Sequence, residues 1–157
     1  KNIDLFTRHA VLTETEMRAR YEIHLENYCK VTTIEAKTLL DMAQRGILPA
    51  VSRYTGDLAK GMAHKQEAGL PSACRVEECL IRQLSGLNGD LLDAYQALTA
   101  ALNKAPAADS GIDAARWYRA EISTRTQQAG ELINQLEALM PADVWPFPTY
   151  ADILFSV

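Results

Sequence analysis

The 157-residue sequence has few cysteines, few aromatic residues and no excess of positive charge. Its 16 Lys and Arg stand against 20 Asp and Glu, and this acidic balance argues against a dedicated nucleic-acid-binding protein. No uncharged apolar run approaches the roughly 18 residues that span a bilayer, and no signal peptide is evident, so we expect no membrane partner. Hydrophobic residues make up 48% of the chain, which suits a folded domain and not a disordered segment.

The three cysteines, Cys29, Cys74 and Cys79, are too few and too widely spaced for a disulfide framework. Cys74 and Cys79 have no second pair with which to form a zinc site, so we interpret all three as small hydrophobic residues on helix faces. This usage predicts a reducing, cytoplasmic setting. The chain begins with Lys1 and not Met, which predicts processing or excision from a longer protein.

Apolar residues recur at three- and four-residue steps through most of the chain, which predicts helices, while residues 1–12 show no sustained period. Thr13 followed by Glu16 is the capping-box arrangement and predicts a helix over 14–30. Thr32-Thr33 repeats this start signal, so either a new helix begins there or a continuous helix is locally irregular. Later apolar stripes cover 36–68, 73–102 and 112–139.

Pro49 lies inside the first of these later stripes and predicts a kink, because the stripe stays in phase on both sides of it. Long helices joined by short loops must lie antiparallel. The sequence therefore predicts an all-α fold: an elongated up-and-down antiparallel bundle of about four helices over 13–140, or three long helices with a shorter partner. No strand pattern is present.

The tail, residues 141–157, has a different composition, since Met140 to Tyr150 contain three prolines and three aromatic residues. Such a segment is too apolar for a free linker, so we expect it to dock on the bundle or on another domain or subunit. Arg125 falls on the apolar stripe of the last helix. It either extends its guanidinium to solvent at the edge of the stripe or forms a buried ion pair.

The residues alone indicate no active site. His9, His24 and His64 have no second ligand at metal spacing. His64 on a bundle helix suggests phosphotransfer, but Lys65 and Gly69 do not have the spacing that such domains use, which favours a surface histidine. No phosphate-binding glycine loop, nucleophile elbow or Glu-x-x-His ligand motif is present, so we expect no catalytic, cofactor-binding or metal-binding residue.

Two stretches of the sequence carry a resemblance to a known family. The first contains Lys1-Asn2-Ile3-Asp4-Leu5-Phe6, Arg20-Tyr21-Glu22-Ile23 and Ile47-Leu48-Pro49-Ala50, in that order. The second is Trp145-Pro146-Phe147-Pro148-Thr149-Tyr150, which ends at Leu154-Phe155. Together they resemble the C-terminal region of type III glutamine synthetases.

The resemblance implies a parent ligase of nitrogen metabolism that joins glutamate and ammonia with ATP through a γ-glutamyl phosphate. It also implies divalent Mg or Mn ions and a large, ring-shaped homo-oligomer. The nucleotide, metal and glutamate ligands of the family belong to a preceding catalytic region, so we expect this chain itself to be inactive. Residues 1–12 would then be a connector from that region, 13–140 the helical bundle, and 141–157 a docking tail.

On this interpretation the bundle serves subunit contacts or regulation, and its partners are the catalytic domain of the parent and neighbouring subunits. The alternative is a freestanding helical bundle that binds a protein partner or a small ligand between its helices. The candidate docking and packing residues are Tyr21, Tyr28, Trp145, Phe147, Tyr150 and Phe155.

Overall fold

The computed structural model of the chain describes residues 2–148 and 150–155, without the side chains of residues 71, 72, 150, 151 and 155. Within those ranges the chain is helical, with no strand. The α-helices are α1 (Asn2–Arg8), α2 (Glu14–Met42), α3 (Leu48–Glu67), α4 (Arg75–Asn103), α5 (Gly111–Trp117), α6 (Thr124–Leu139) and α7 (Tyr150–Phe155). Two π-helical turns, Ala43–Ile47 and Tyr118–Ser123, and a 3₁₀ turn, Pro71–Cys74, complete the helical elements.

The π-turns join neighbouring α-helices into longer rods. The N-terminal rod, residues 14–67, consists of α2, the first π-turn and α3, and is roughly 80 Å long at 1.5 Å per residue. The C-terminal rod, residues 111–139, consists of α5, the second π-turn and α6, and α4 forms the central rod. The predicted all-α bundle is confirmed, with three long rods in place of about four helices.

Side-chain contacts give the directions of the rods. Along α4 the residues Glu77, Asn88 and Tyr95 bond to Lys65, Leu48 and Gln44, in that order. The residue numbers of these partners fall as the residue numbers along α4 rise, so the central rod is antiparallel to the N-terminal rod. The C-terminal rod runs parallel to the N-terminal rod, since Gly111 lies beside Glu22 and Ser123 bonds to Tyr28.

The start of α2 forms as predicted. The Glu16 backbone N–H donates to Thr13 Oγ1 at 3.2 Å, and the Thr13 N–H donates to Glu16 Oε2 at 2.8 Å, so the capping box is confirmed. The helix then continues through Thr33, whose hydroxyl donates to the Cys29 carbonyl at 2.8 Å, and no break occurs there. The short helix α1, which the sequence did not predict, has no buried residue, and the connector role of residues 1–12 stays a prediction.

The irregularity predicted at Pro49 takes the form of a π-turn. The Leu48 N–H donates to the Ala43 carbonyl, five residues earlier, and Pro49 falls in the first turn of α3, where its missing N–H is tolerated. The helix therefore continues past Pro49, as the in-phase stripe predicts. The second π-turn has no proline and no sequence signal that predicted it.

Two apolar clusters fill the bundle, and α4 contributes to both of them. Leu84, Leu91 and Leu98, seven residues apart, have no exposed surface, which confirms the α4 stripe. The first cluster includes Ile47, Val51, Leu84, Leu91, Leu136 and Trp145. The second includes Cys29, Ala36, Leu98, Ala114, Tyr118 and Ile122.

Candidate functional site

The first part of the tail packs against the bundle. Trp145 is 8% exposed and belongs to the same apolar cluster as Ile47 and Leu136. The backbone N–H groups of Val144 and Trp145 both donate to the Pro141 carbonyl at 3.0 Å, which forms a tight turn after α6. The tail therefore completes the core at the end of the bundle where α6 finishes.

Phe147 lies on the first π-turn, over Gly46. A Cβ atom added to Gly46 would lie 2.8 Å from Phe147 Cε2 and 2.9 Å from its Cζ, closer than side chains approach one another. A side chain at this position would require the Phe147 ring to shift. Gly46 is thus the point at which the N-terminal rod accepts the tail.

An open apolar cleft lies beside this contact, with a volume of about 300 Å³. Its walls come from the end of α2, the first π-turn, α6 and the tail. The residues that line it are Leu39, Met42, Ile47, Gly130, Ile133, Asn134, Glu137, Trp145, Phe147, Pro148 and Ile153. We refer to it below as the tail cleft.

The two candidate tyrosines lie far from the tail cleft, on α2. Tyr28 is 39% exposed, and its hydroxyl forms a hydrogen bond with Ser123 Oγ at 3.2 Å that joins α2 to the second π-turn. Tyr21 is 51% exposed, seven residues earlier on the helix. The structure therefore separates Tyr21 and Tyr28 from Trp145 and Phe147, and the side chains of Tyr150 and Phe155 lie outside the described residues.

A second apolar surface runs along the outside of α2. Ile23, Val31 and Ile34 are 53%, 52% and 64% exposed. At 100° per residue these three side chains point about 180° away from the buried face of the same helix, which is formed by Cys29, Thr32 and Ala36. We refer to Ile23, Val31 and Ile34 as the outward stripe.

The described residues offer neither a candidate metal site nor a membrane-spanning helix. Nowhere in 2–148 and 150–155 do three or more His, Cys, Asp or Glu side chains come together to hold a metal ion, as the Mg or Mn of a parent synthetase would require. His9, His24 and His64 are all exposed, in keeping with the interpretation of His64 as a surface histidine. No helix in the described part of the chain has the length and hydrophobicity to cross a membrane.

The cysteines divide between core and surface. Cys29 and Cys74 are buried, and burial raises the pKa of the Cys29 thiol, which keeps it protonated and unreactive. Cys79 is free and exposed on α4.

Arg125 forms an ion pair with Glu121, with its Nη2 atom 2.6 Å from Glu121 Oε2. The two side chains are 37% and 39% exposed, so the pair is neither buried nor fully in solvent. Arg125 is therefore intermediate between the two predicted alternatives, a guanidinium in solvent and a buried ion pair. Pairs this exposed contribute about 0–1 kcal/mol.

A further ion pair closes the turn between α3 and α4. The Lys65 ammonium donates to the Glu77 carboxylate and, at 3.3 Å, to the Ala73 carbonyl. The hydrogen bond from Lys65 is the main reason that the pKa of Glu77 is lowered from its ordinary value of 4.5. This contact joins the end of the N-terminal rod to the start of the central rod.

Sequence reasoning missed the contact between Gly46 and Phe147, the tail cleft and the outward stripe. Nothing in the sequence distinguished Gly46 from the other helical glycines, which have open space where a Cβ atom would lie. Ile23, Val31 and Ile34 also fall at helical spacing, but their stripe was not separated from the core stripe of α2. The two stripes of α2 can be told apart only when the burial of each side chain is known.

Comparison with known proteins gives one family. Residues 1–66, which include α1, α2 and most of α3, match the family model described as the glutamine synthetase C-terminal domain. A glutamine synthetase of Butyrivibrio fibrisolvens is 29% identical over 157 residues, which is 100% of this chain and 22% of that protein. A type-3 glutamine synthetase of Dictyostelium discoideum is 26% identical over 159 residues, which is 99% of this chain and 22% of that protein.

A glutamine synthetase of Bacteroides fragilis (strain YCH46) is also similar, with 26% identity over 152 residues, 93% of this chain and 21% of that protein. No solved structure matches the chain. The chain spans about a fifth of the length of these relatives. The resemblance to the C-terminal region of glutamine synthetases that the sequence predicted is confirmed.

Proposed function

We propose that this chain, which has the sequence pattern of a glutamine synthetase C-terminal domain, is a non-catalytic helical domain of such an enzyme. The parent would be of the type III class and would ligate ammonia to glutamate with ATP and Mg or Mn, as a large homo-oligomer in the cytoplasm. The domain contributes a contact surface, and its partner is the catalytic region of the same synthetase. A freestanding interaction module is the weaker candidate, because the matches to synthetases cover 93% to 100% of this chain.

The outward stripe is the main support for the proposed contact. Val31 and Ile34 are exposed on the side of α2 that faces away from the bundle. Ile23 is exposed as well, beside the loop that precedes α5, so the core does not cover any of the three. Leu5 and Phe6 of α1, a helix that packs against α2, are also exposed. All these residues lie within the range that matches the family model.

The size of the relatives supports the catalytic region as the partner. About four-fifths of each relative's length lies outside the match with this chain, so a synthetase of this kind contains ample surface to cover the stripe. Full burial of a Val or Ile side chain stabilises an association by about 1.5–3 kcal/mol. Covering three half-exposed side chains therefore contributes on the order of several kcal/mol, enough for a specific contact between domains.

The non-catalytic role rests on the side chains that the structure brings together. The described residues offer no cluster of carboxylates for a metal ion and no phosphate-binding loop, so no catalytic step is assigned to them.

The test incubates the 157-residue chain with ATP, glutamate, ammonia and magnesium, beside a complete synthetase as the positive control. We expect glutamine at the level of the blank, and glutamine formation above that level by the chain alone would overturn the non-catalytic role.

A further inference from the structure

We propose that the tail cleft binds a small aromatic amine in its cationic form. The cleft lies between the end of α2, the first π-turn, α6 and the tail, and the inference does not depend on the proposed function. It rests on the size of the cleft, the character of its walls and the position of one carboxylate.

The size of the cleft suits a small molecule. Its volume of about 300 Å³ lies at the lower end of the range for ligand pockets, which admits a one- or two-ring aromatic compound. Four separate parts of the fold form the walls, which is typical of a pre-formed site and not of a shallow surface groove. A protein segment would need a longer groove than this.

The walls favour an aromatic ring. Ile47 and Ile133 provide aliphatic surface, and Trp145 and Phe147 provide aromatic surface. Flat rings pack well in such a setting, where edge-to-face and offset contacts with Trp and Phe add about 0.5–1.5 kcal/mol to the burial of area.

The polar groups favour a cation. Glu137 is the charged residue among the described residues that line the cleft, and it forms no ion pair with any described residue. Asn134, one turn earlier on α6, adds an amide that can accept a hydrogen bond from an ammonium group. A half-buried carboxylate at the edge of an apolar cleft attracts an amine and repels an acid.

Tryptamine, an indole that carries an ammonium group, is a suitable probe, with indole as the neutral comparison and indole-3-propionate as the anionic one. Titration calorimetry on the 157-residue chain measures all three. We expect tryptamine to bind at one site per chain, more tightly than indole, and indole-3-propionate not to bind. No tryptamine binding, or equal binding of the anion, would overturn the inference.

Variants locate the binding to the cleft. A Cβ atom added at Gly130, in the cleft wall, or at Gly61, on α3, would meet nothing within 4 Å, so a side chain can begin at either position without a clash. Gly130→Leu fills the cleft and should weaken tryptamine binding at least tenfold, whereas Gly61→Leu should leave it unchanged. Glu137→Gln should weaken the binding of tryptamine but not that of indole.

Equal affinities in the wild type and in Gly130→Leu would contradict the proposed site. Binding of tryptamine that begins only after the chain is truncated at Pro148 would show that α7 occupies the cleft, and would also contradict it. Circular-dichroism melting of each variant confirms that it is folded before its affinity is compared.

Discussion

Gly46 is the residue on which the docking of the tail depends most directly. Because an added Cβ atom would lie 2.8 Å from the Phe147 ring, Gly46→Val should displace the ring and destabilise the chain by about 1–3 kcal/mol. In a Trp117→Phe background, the fluorescence of Trp145 should then shift to longer wavelength. Chemical denaturation followed by tryptophan fluorescence measures both effects.

Gly56→Val is the matched control for this prediction. Gly56 lies on α3, where an added Cβ atom meets nothing within 4 Å. We expect no shift in Trp145 fluorescence and equal or higher stability, since valine favours a helix more than glycine does. A Gly46→Val chain with the stability and spectrum of the wild type would show that Phe147 does not need this space.

The Lys65–Glu77 pair should make stability depend on pH. The pKa of Glu77 is lowered in the folded chain, so its contribution is present above its ordinary value of 4.5 and is lost as the pH falls below that value. Lys65→Gln should therefore lower the melting temperature at pH 7 but not at pH 2, where the carboxyl is protonated in both proteins. The same loss at both pH values would assign the effect to packing and not to the ion pair.

Contacts between residues close in the sequence were predictable, and contacts between residues far apart were not. The capping box of Thr13 and Glu16 was predictable because it depends on contacts only three residues apart. The burial of Trp145 and the fit of Phe147 against Gly46 depend on residues about 100 positions apart, which a local pattern does not encode.

The tail contributes to the apolar core together with the three rods. Truncation after Met140 removes Trp145 and Phe147, and loss of a buried tryptophan costs about 3–5 kcal/mol. The melting temperature should fall by on the order of 10 °C, as measured by calorimetry.

Truncation after Pro148 is the control, because it removes α7, where Ile153 and Leu154 are 64% and 72% exposed, and it should have a smaller effect. An unchanged melting temperature after truncation at Met140 would mean that the tail does not stabilise the bundle.

The start of the N-terminal rod should be less stable locally than its middle. Residues 14–24 of α2 have no buried side chain, whereas Ile47, Ala50 and Val51 belong to the first apolar cluster. Amide hydrogen exchange should therefore be fastest in the first turns of α2 and slowest around Leu91 in α4. Uniform protection along α2 in the isolated chain would contradict this order.

The helices themselves were predictable because each buries a periodic stripe, and the π-turns were not. A π-turn keeps the helix continuous, so the apolar period persists across it. From the sequence, Pro49 therefore predicted a kink and not a π-turn. The number of rods also depended on Thr33. Its hydroxyl bonds to a carbonyl within α2, so no new helix begins there.

The molecule as a whole is a three-rod bundle whose tail packs beside the first π-turn and whose α2 carries exposed apolar side chains on its outer side. Composition and periodicity predicted an acidic, all-α domain with no active site of its own. They could not predict the outward stripe, because a helix that is apolar on two faces has a weak amphipathic pattern. This stripe is where the proposed contact with the catalytic region is made.

The most direct test of the contact is a titration of the 157-residue chain into the catalytic region of the same synthetase. Val31→Glu places a carboxylate in the outward stripe, and Gln96→Glu places one on the exposed side of α4 as a matched control. We expect binding by the wild type, at least tenfold weaker binding by Val31→Glu and unchanged binding by Gln96→Glu. Equal dissociation constants for Val31→Glu and the wild type would contradict the proposed contact.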